Sequence, residues 1–224
     1  MKDIARTLWR HPSAVLLAVQ LFGVVLYPFM GESPTGRAMI SLFALVVLLL
    51  AVRAVRATPG WSRVLLVLAA PVAVLTILEA LFPTNETILF WSSVVHATFY
   101  LYTSYGFIRY MFLDREVTLD ELFATGATFT VVAWAFANLY VAIQILWPGS
   151  FVAAVDPEAP RSWMELLFLS FTTLTSTGLS DVIPVTAQAR SIVMIEQVAG
   201  LMYVALVISR IVGLTIARER GQGS

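Results

Sequence analysis

The sequence predicts an all-α membrane protein with six membrane-spanning helices and a shorter helix that enters the bilayer without crossing it. Of its 224 residues, 59% are hydrophobic and only 12% are charged, whereas a soluble domain carries about 25% charged residues. Six apolar runs approach or exceed the roughly 20 residues that a helix needs to cross a bilayer core about 30 Å thick. The net charge is zero, so the expected partner is the lipid bilayer and not a nucleic acid.

Each predicted span is an apolar run whose ends hold proline, glycine or charged residues. The runs cover residues 13–30, 38–55, 64–82, 88–112, 119–147 and 187–217. A seventh run, Trp163–Leu174, is too short to cross the membrane and predicts a re-entrant helix. Thr118 with Glu121, and Ser162 with Glu165, have the spacing of a capping box. These pairs predict where the fifth span and the short helix begin.

The lysine and arginine positions predict the orientation. With a cytoplasmic N-terminus, nine basic residues fall on the cytoplasmic side and three on the outer side, which is the bias that membrane proteins show. We therefore expect a multi-pass protein of the cell membrane with both termini in the cytoplasm. Residues 218–224 are expected to form a short cytoplasmic tail.

A hydroxyl-rich segment lies between the short helix and the last span. Non-helical backbone at membrane depth is tolerated only where it is buried in protein or lines a water-filled cavity. In such a position, carbonyl and hydroxyl oxygens can replace the water molecules around a cation. The C-terminal end of the short helix carries partial negative charge, which also favours a cation. The segment therefore predicts a site for a dehydrated cation.

This segment resembles the pore of the tetrameric potassium-channel superfamily, in which a pore helix is followed by a T-T-V-G-Y-G-D filter and an inner helix. Thr175, Gly178 and Asp181 match the filter outright. The matches that continue at the spacing of bacterial two-span potassium channels are Pro184, Val185, Thr186, Arg190, Ala199 and Gly200. The resemblance covers about residues 166–213 and implies a homotetramer in a prokaryotic membrane, with no soluble partner. It also implies that a potassium-type monovalent cation binds at Ser176, Thr177 and Gly178, with no cofactor except this permeant ion.

The resemblance also implies two sets of site residues. The filter segment comprises Thr175, Ser176, Thr177, Gly178, Leu179, Ser180 and Asp181. The gate or cavity set comprises Gly200, Leu201, Val204, Ile208, Ser209 and Val212. The filter is altered, because Leu179 replaces tyrosine and Ser180 replaces a glycine that takes a left-handed conformation. We expect Ser180 to be strained or to adopt another conformation, and the filter to be weakly selective.

The six-span layout divides the chain into a sensor-like four-helix domain over residues 1–117 and a pore domain over 118–217. Arg109 is the only basic residue of the fourth span. Because one gating charge contributes only about 2.3 kcal/mol per 100 mV, a single arginine cannot give steep voltage gating. The first domain is therefore expected to lack voltage-sensing function.

Three further residues allow two interpretations each. Gly200 lies in mid-helix and is either a site of close helix packing or a gating hinge. Glu196 is either a protonated carboxyl hydrogen-bonded behind the pore helix or a group that senses pH or contacts ions. His96 is either a satisfied core residue or a functional group.

The sequence favours a cation channel that conducts potassium with weak selectivity. The alternatives are a channel-like scaffold or regulatory subunit that does not conduct, and a secondary transporter, which usually has paired broken helices. An enzyme is not expected. An intramembrane serine protease would resemble its class in a Gly-x-Ser-Gly turn, and the nearest string, Gly178-Leu179-Ser180-Asp181, lacks the final glycine.

Overall fold

The computed structural model describes residues 11–30, 34–55, 62–113 and 119–222. Within these ranges the chain forms seven helices and two three-residue strands. The helices are α1 Pro12–Met30, α2 Pro34–Val55, α3 Ser62–Leu81, α4 Glu86–Leu113, α5 Leu119–Leu146, α6 Trp163–Leu174 and α7 Ala187–Gln222. The strands are β1 Phe151–Ala153, between α5 and α6, and β2 Val182–Pro184, between α6 and α7.

Four helices of the described part are long and apolar enough to cross a membrane. They are α1, α3, α5 and α7, with apolar stretches of 18 to 27 residues. The apolar stretch of α2 is shorter and covers Leu42–Arg53. The chain is thus an all-α membrane protein with several spans, while the count of six spans stays a prediction.

The helix starts follow local capping chemistry. Ser162 caps α6, because its Oγ accepts a hydrogen bond from the backbone N–H of Glu165 at 3.3 Å, and Glu165 Oε2 accepts one from the N–H of Ser162 at 2.7 Å. The capping box predicted at Ser162 is therefore present. The second predicted box begins at Thr118, which lies outside the described residues. Asn85 caps α4 by accepting from the backbone N–H groups of Thr87 and Ile88, both at 3.1 Å.

The helix α5 forms the centre of the packing. Trp134, which is 4% exposed, contacts aromatic rings from three other helices, namely Phe43 of α2, Tyr100 of α4 and Trp163 of α6. The buried core that contains Trp134 includes residues of α1 to α6. The predicted boundary near residue 117 lies outside the described ranges, and the helices on its two sides share this core. The division into two domains stays a prediction.

The pairing of β1 with β2 was not part of the predicted all-α fold. The strands are antiparallel, with Val152 opposite Ile183. The backbone N–H of Val185 donates to the carbonyl of Ser150 at 2.9 Å, and the hydroxyls of Ser150 and Thr186 are 2.9 Å apart. Three-residue strands are too short to leave a periodic pattern in the sequence. Their pairing joins the chain before α6 to the chain after the filter segment.

Candidate functional site

The residues that follow α6 donate backbone hydrogen bonds to carbonyls in the last turn of that helix. Ser176 N donates to Thr173 O at 3.0 Å, and the N–H groups of Thr177 and Gly178 donate to Thr172 O at 3.0 and 3.3 Å. The described peptide bonds are all trans, and a trans peptide holds its C=O and N–H on opposite sides. The carbonyl oxygens of Thr175, Ser176 and Thr177 therefore point away from α6.

These outward carbonyls lie at the surface of the single chain. Leu174, the last residue of α6, is buried, whereas Thr175, Ser176, Thr177 and Gly178 are all exposed. The hydroxyls of Thr175 and Thr177 are 3.0 Å apart. A row of outward carbonyl oxygens with neighbouring hydroxyls has the chemistry that binds a dehydrated cation. Of the three residues predicted to bind it, Ser176 and Thr177 have such carbonyls, and Thr175 adds a third.

The backbone strain of the filter segment lies at Ser176 and not at Ser180. Among the described residues, the non-glycine residues with positive φ are Asp156 and Ser176, with φ of 47° and 59°. The left-handed region costs an L-residue roughly 1–2 kcal/mol. Ser180 takes the second of the two expected alternatives, since its φ is not positive and its Oγ accepts a hydrogen bond from Val182 N at 3.1 Å. Gly178 has a φ of 66°.

The side chain of Leu179, in the upper part of the filter segment, is largely exposed. Leu179 stands where the family has tyrosine, and it is 77% exposed. Its side chain therefore does not support the filter segment against α6 within one chain. Asp181 is also exposed and immediately precedes β2.

The chain before α6 is held by Arg161. Its guanidinium is nearly buried and donates to the carbonyls of Val155, Asp156 and Ala159, and it forms an ion pair with Glu165 at 3.3 Å. Burial raises the pKa of the Glu165 carboxyl, but hydrogen bonds from the cap serine and the Arg161 charge outweigh this effect and hold the pKa below its usual value. The start of α6 is thus fixed by local polar contacts.

The helix α7 faces the rest of the chain with one side. Gly200 is buried on this side, and a Cβ atom added to it would lie 2.8 Å from the Cα of Leu174. The backbone of α7 therefore packs directly on the last turn of α6. This close approach explains why residue 200 is a glycine. The same side continues with Tyr203, whose hydroxyl donates to Thr125 O at 2.6 Å, and with Arg210, which forms an ion pair with Glu121 at 3.3 Å.

The remaining members of the predicted gate or cavity set lie on the exposed side of α7. They are Leu201, Val204, Ile208, Ser209 and Val212. Gly200 does not share that side, because it packs on α6. The assignment of the exposed side to a cavity stays a prediction, as does the role of Gly200 as a hinge.

Two buried polar clusters complete the site and its surroundings. Glu196 of α7 is fully buried and accepts a hydrogen bond from Tyr140 of α5, and it contacts the hydroxyl of Ser170 of α6. Glu196 was recognisable from the sequence as an ionisable residue within a predicted span, but its partners Tyr140 and Ser170 were not. The signal that could have identified Tyr140 and Ser170 is that each is a polar residue within an apolar run.

His96 donates from Nδ1 to Ser92 O at 2.8 Å, and its Nε2 lies 3.2 Å from the Thr76 hydroxyl. These bonds agree with a satisfied core histidine.

The comparison with protein families identifies a match over most of the chain. The family model described as an ion channel matches residues 64–216, which is more than half of the chain and includes α6, the filter segment and the buried side of α7. Neither the comparison with curated proteins nor that with solved structures found a significant match. The matched range also contains three of the four helices able to cross a membrane. The chain therefore belongs to the ion-channel family.

Proposed function

We propose that the chain is one subunit of a homotetrameric cation channel that conducts potassium with weak selectivity. The observation that carries this proposal is the orientation of three successive carbonyls, those of Thr175, Ser176 and Thr177, away from the end of α6. Oxygens arranged in this way can replace the hydration shell of a monovalent cation. No cofactor other than this permeant ion takes part.

The exposure of the filter segment supports the tetramer. One chain supplies a single strand of oxygens, and a cage around an ion needs a ring of such strands. Irregular backbone at membrane depth also has to be buried or to line a watery cavity, and Thr175 to Leu179 are exposed in the isolated chain. Three further copies around a central axis would satisfy both conditions. Native mass measurement in mild detergent tests this point, and a stable monomer or dimer would contradict it.

The weak selectivity follows from the upper filter. Ser180 has no left-handed backbone and Leu179 points to the surface, so the filter has fewer complete ion sites than the family pattern implies. The same two residues favour the second candidate function, a channel-like scaffold or regulatory subunit that does not conduct. Steep voltage gating is not part of the proposal, because a single Arg109 supplies too little gating charge.

The six spans, the cytoplasmic termini and the prokaryotic cell membrane belong to the same proposal. Below the filter, the exposed side of α7 is mostly apolar, which suits a gate that closes by dewetting. A cysteine placed at Ile208 should react with an aqueous thiol reagent from the cytoplasmic side of a conducting preparation. If it does not react, Ile208 does not face the cavity.

Flux measurements separate the candidate functions. Purified protein is reconstituted in liposomes, and potassium and sodium fluxes are recorded side by side in the same preparation. Flux of both ions, with potassium moderately favoured, is the expected result. A tetramer that passes neither ion would support the scaffold or regulatory subunit, and strong exclusion of sodium would contradict the weak filter.

A further inference from the structure

Glu196 lies at a point where three helices meet behind the filter segment. It is fully buried. The hydroxyl of Tyr140 on α5 donates to Glu196 Oε2, and Ser170 on α6 contacts Glu196 Oε1. Ser170 Oγ is also 2.9 Å from the carbonyl oxygen of Ala133 on α5. One carboxyl group thus connects the inner helix to both other helices of the pore half.

The number of available protons favours a neutral form of this carboxyl group. A serine hydroxyl has one proton to donate, and Ser170 lies against two oxygens, Glu196 Oε1 and Ala133 O. The Ala133 carbonyl can only accept, so we assign the Ser170 proton to it. The contact between Ser170 and Glu196 is then a hydrogen bond only if Glu196 carries a proton and donates it. A carboxylate would leave two acceptors competing for one proton.

The surroundings of Glu196 agree with a neutral acid. Tyr140 is the titratable group of α5 that faces it, and it already donates its proton to Oε2. From α6 come only hydroxyls, those of Ser170 and of Thr173, which reaches Tyr140. Among the described residues, no cation acts on this carboxyl group. An ionised carboxylate without a cation is costly to bury.

The carboxyl group and Gly200 together fix α6 on α7. Glu196 bonds to Ser170, and Gly200, four residues later on α7, packs on Leu174, four residues later on α6. Residues four apart lie on one face of a helix, so these two contacts hold the last turn of α6 from the same side. The filter segment begins at the next residue, Thr175.

We propose that Glu196 is a positioning residue for ion conduction: as a neutral acid it extends one directed chain of hydrogen bonds, from Tyr140 through Glu196 and Ser170 to Ala133, that fixes the pore helix under the filter segment. The role in conduction rests on the proposed channel function. The protonation of Glu196 does not, since it is argued from the hydrogen-bond geometry around the carboxyl group.

Infrared difference spectroscopy tests the proton directly. The wild-type protein should show the carbonyl stretch of a protonated carboxyl group that the Glu196→Gln variant lacks. If the difference spectrum shows a carboxylate band instead, the neutral acid is wrong, whatever the flux. If the protonated band is present but the wild type passes no ion, the channel function and the positioning role fail together and the proton assignment stands.

Matched variants test the positioning role. Glutamine can donate from its amide NH₂ to Ser170 and accept from Tyr140, so Glu196→Gln should retain the flux and the flux ratio of the wild type. Glu196→Leu cannot make either bond and leaves two buried hydroxyls with fewer partners, so we expect a loss of about tenfold or more in flux. Tyr140→Phe removes one bond and should lie between them. A Gln variant as impaired as the Leu variant would overturn the proposal.

A pH profile distinguishes the proton from a purely steric role. Alkaline buffer removes the proton of Glu196 and places a charge under the pore helix, so wild-type flux should fall reversibly as the pH rises. The Glu196→Gln variant has no proton to lose and should keep its flux over the same range. Tyr140 is the other titratable group of the cluster and is present in both proteins, so an equal loss in both would contradict the role of Glu196.

Discussion

The two sides of helix α6 use hydroxyl groups in opposite ways. In front, the filter segment is exposed, has one strained serine and directs carbonyl oxygens away from the helix. Behind, Ser170 and Glu196 are fully buried, and every proton has one acceptor once Glu196 is neutral. The difference follows from access: a cation or water can reach the outward carbonyl oxygens in front, whereas the side-chain oxygens of Ser170 and Glu196 behind α6 have hydrogen-bond partners.

The largest expected effect comes from disturbing the back of α6. Gly200→Ala places a methyl group 2.8 Å from Leu174 Cα, and because this neighbour is backbone, α6 and α7 must separate. We expect a loss of about 1–3 kcal/mol in the free energy of unfolding together with reduced ion flux. Thermal unfolding in detergent measures the first effect and liposome flux the second.

The matched control is Gly126→Ala. The added methyl group there meets a flexible Leu17 methyl, also at 2.8 Å, which can move aside. If both alanine variants are equally stable, close backbone packing at Gly200 is not what holds α6.

The next effect concerns the front. Gly178 has a φ of 66° and free space around it. Gly178→Ala should therefore lower the free energy of unfolding by about 1–2 kcal/mol per chain, because alanine resists the left-handed backbone conformation. Because the strain falls within the filter segment, ion flux should drop. Gly149→Ala is the control, since Gly149 has a φ of 76° and also has free space around it, but it lies between α5 and β1. Equal flux in the two variants would show that the filter segment is not the conducting site.

A smaller effect is expected from repairing the upper filter. The double change Leu179→Tyr with Ser180→Gly returns both positions to the family pattern, and a phenol can support the filter against α6. The flux ratio of potassium to sodium should then rise several-fold, measured in liposomes with the single variants alongside. An unchanged ratio would reject these two residues as the cause of weak selectivity.

The smallest effect concerns the start of α6. The pKa of Glu165 is held below its usual value, so its stabilising contribution is present above the pKa of the unfolded chain and is lost as the pH falls through the folded-state pKa. Lowering the pH below about 4 should therefore destabilise the wild type more than Glu165→Gln. The difference in the free energy of unfolding between the two proteins should stay under about 1 kcal/mol, because the pair is partly exposed. Calorimetry on both proteins at neutral pH and at this low pH would detect it.

The sequence by itself determined the parts of the fold that depend on neighbouring residues. Apolar run length located the helices, and the predicted bounds of α6, Trp163–Leu174, are those of the structure. Ser162 with Glu165 identified its capping box, because the two residues are three apart and interact within a single turn. The hydroxyl-rich segment was recognisable for the same reason, since its residues are consecutive.

Only the tertiary structure decided what depends on residues far apart in the chain. Tyr140 and Glu196 are separated by 56 residues, and no local pattern reports that they meet. The pairing of β1 with β2, the packing of Gly200 on Leu174 and the strain at Ser176 instead of Ser180 arise in the same way. Each follows from how α5, α6 and α7 pack. That packing determines which backbone groups form hydrogen bonds and which residue takes the left-handed conformation in the turn after α6.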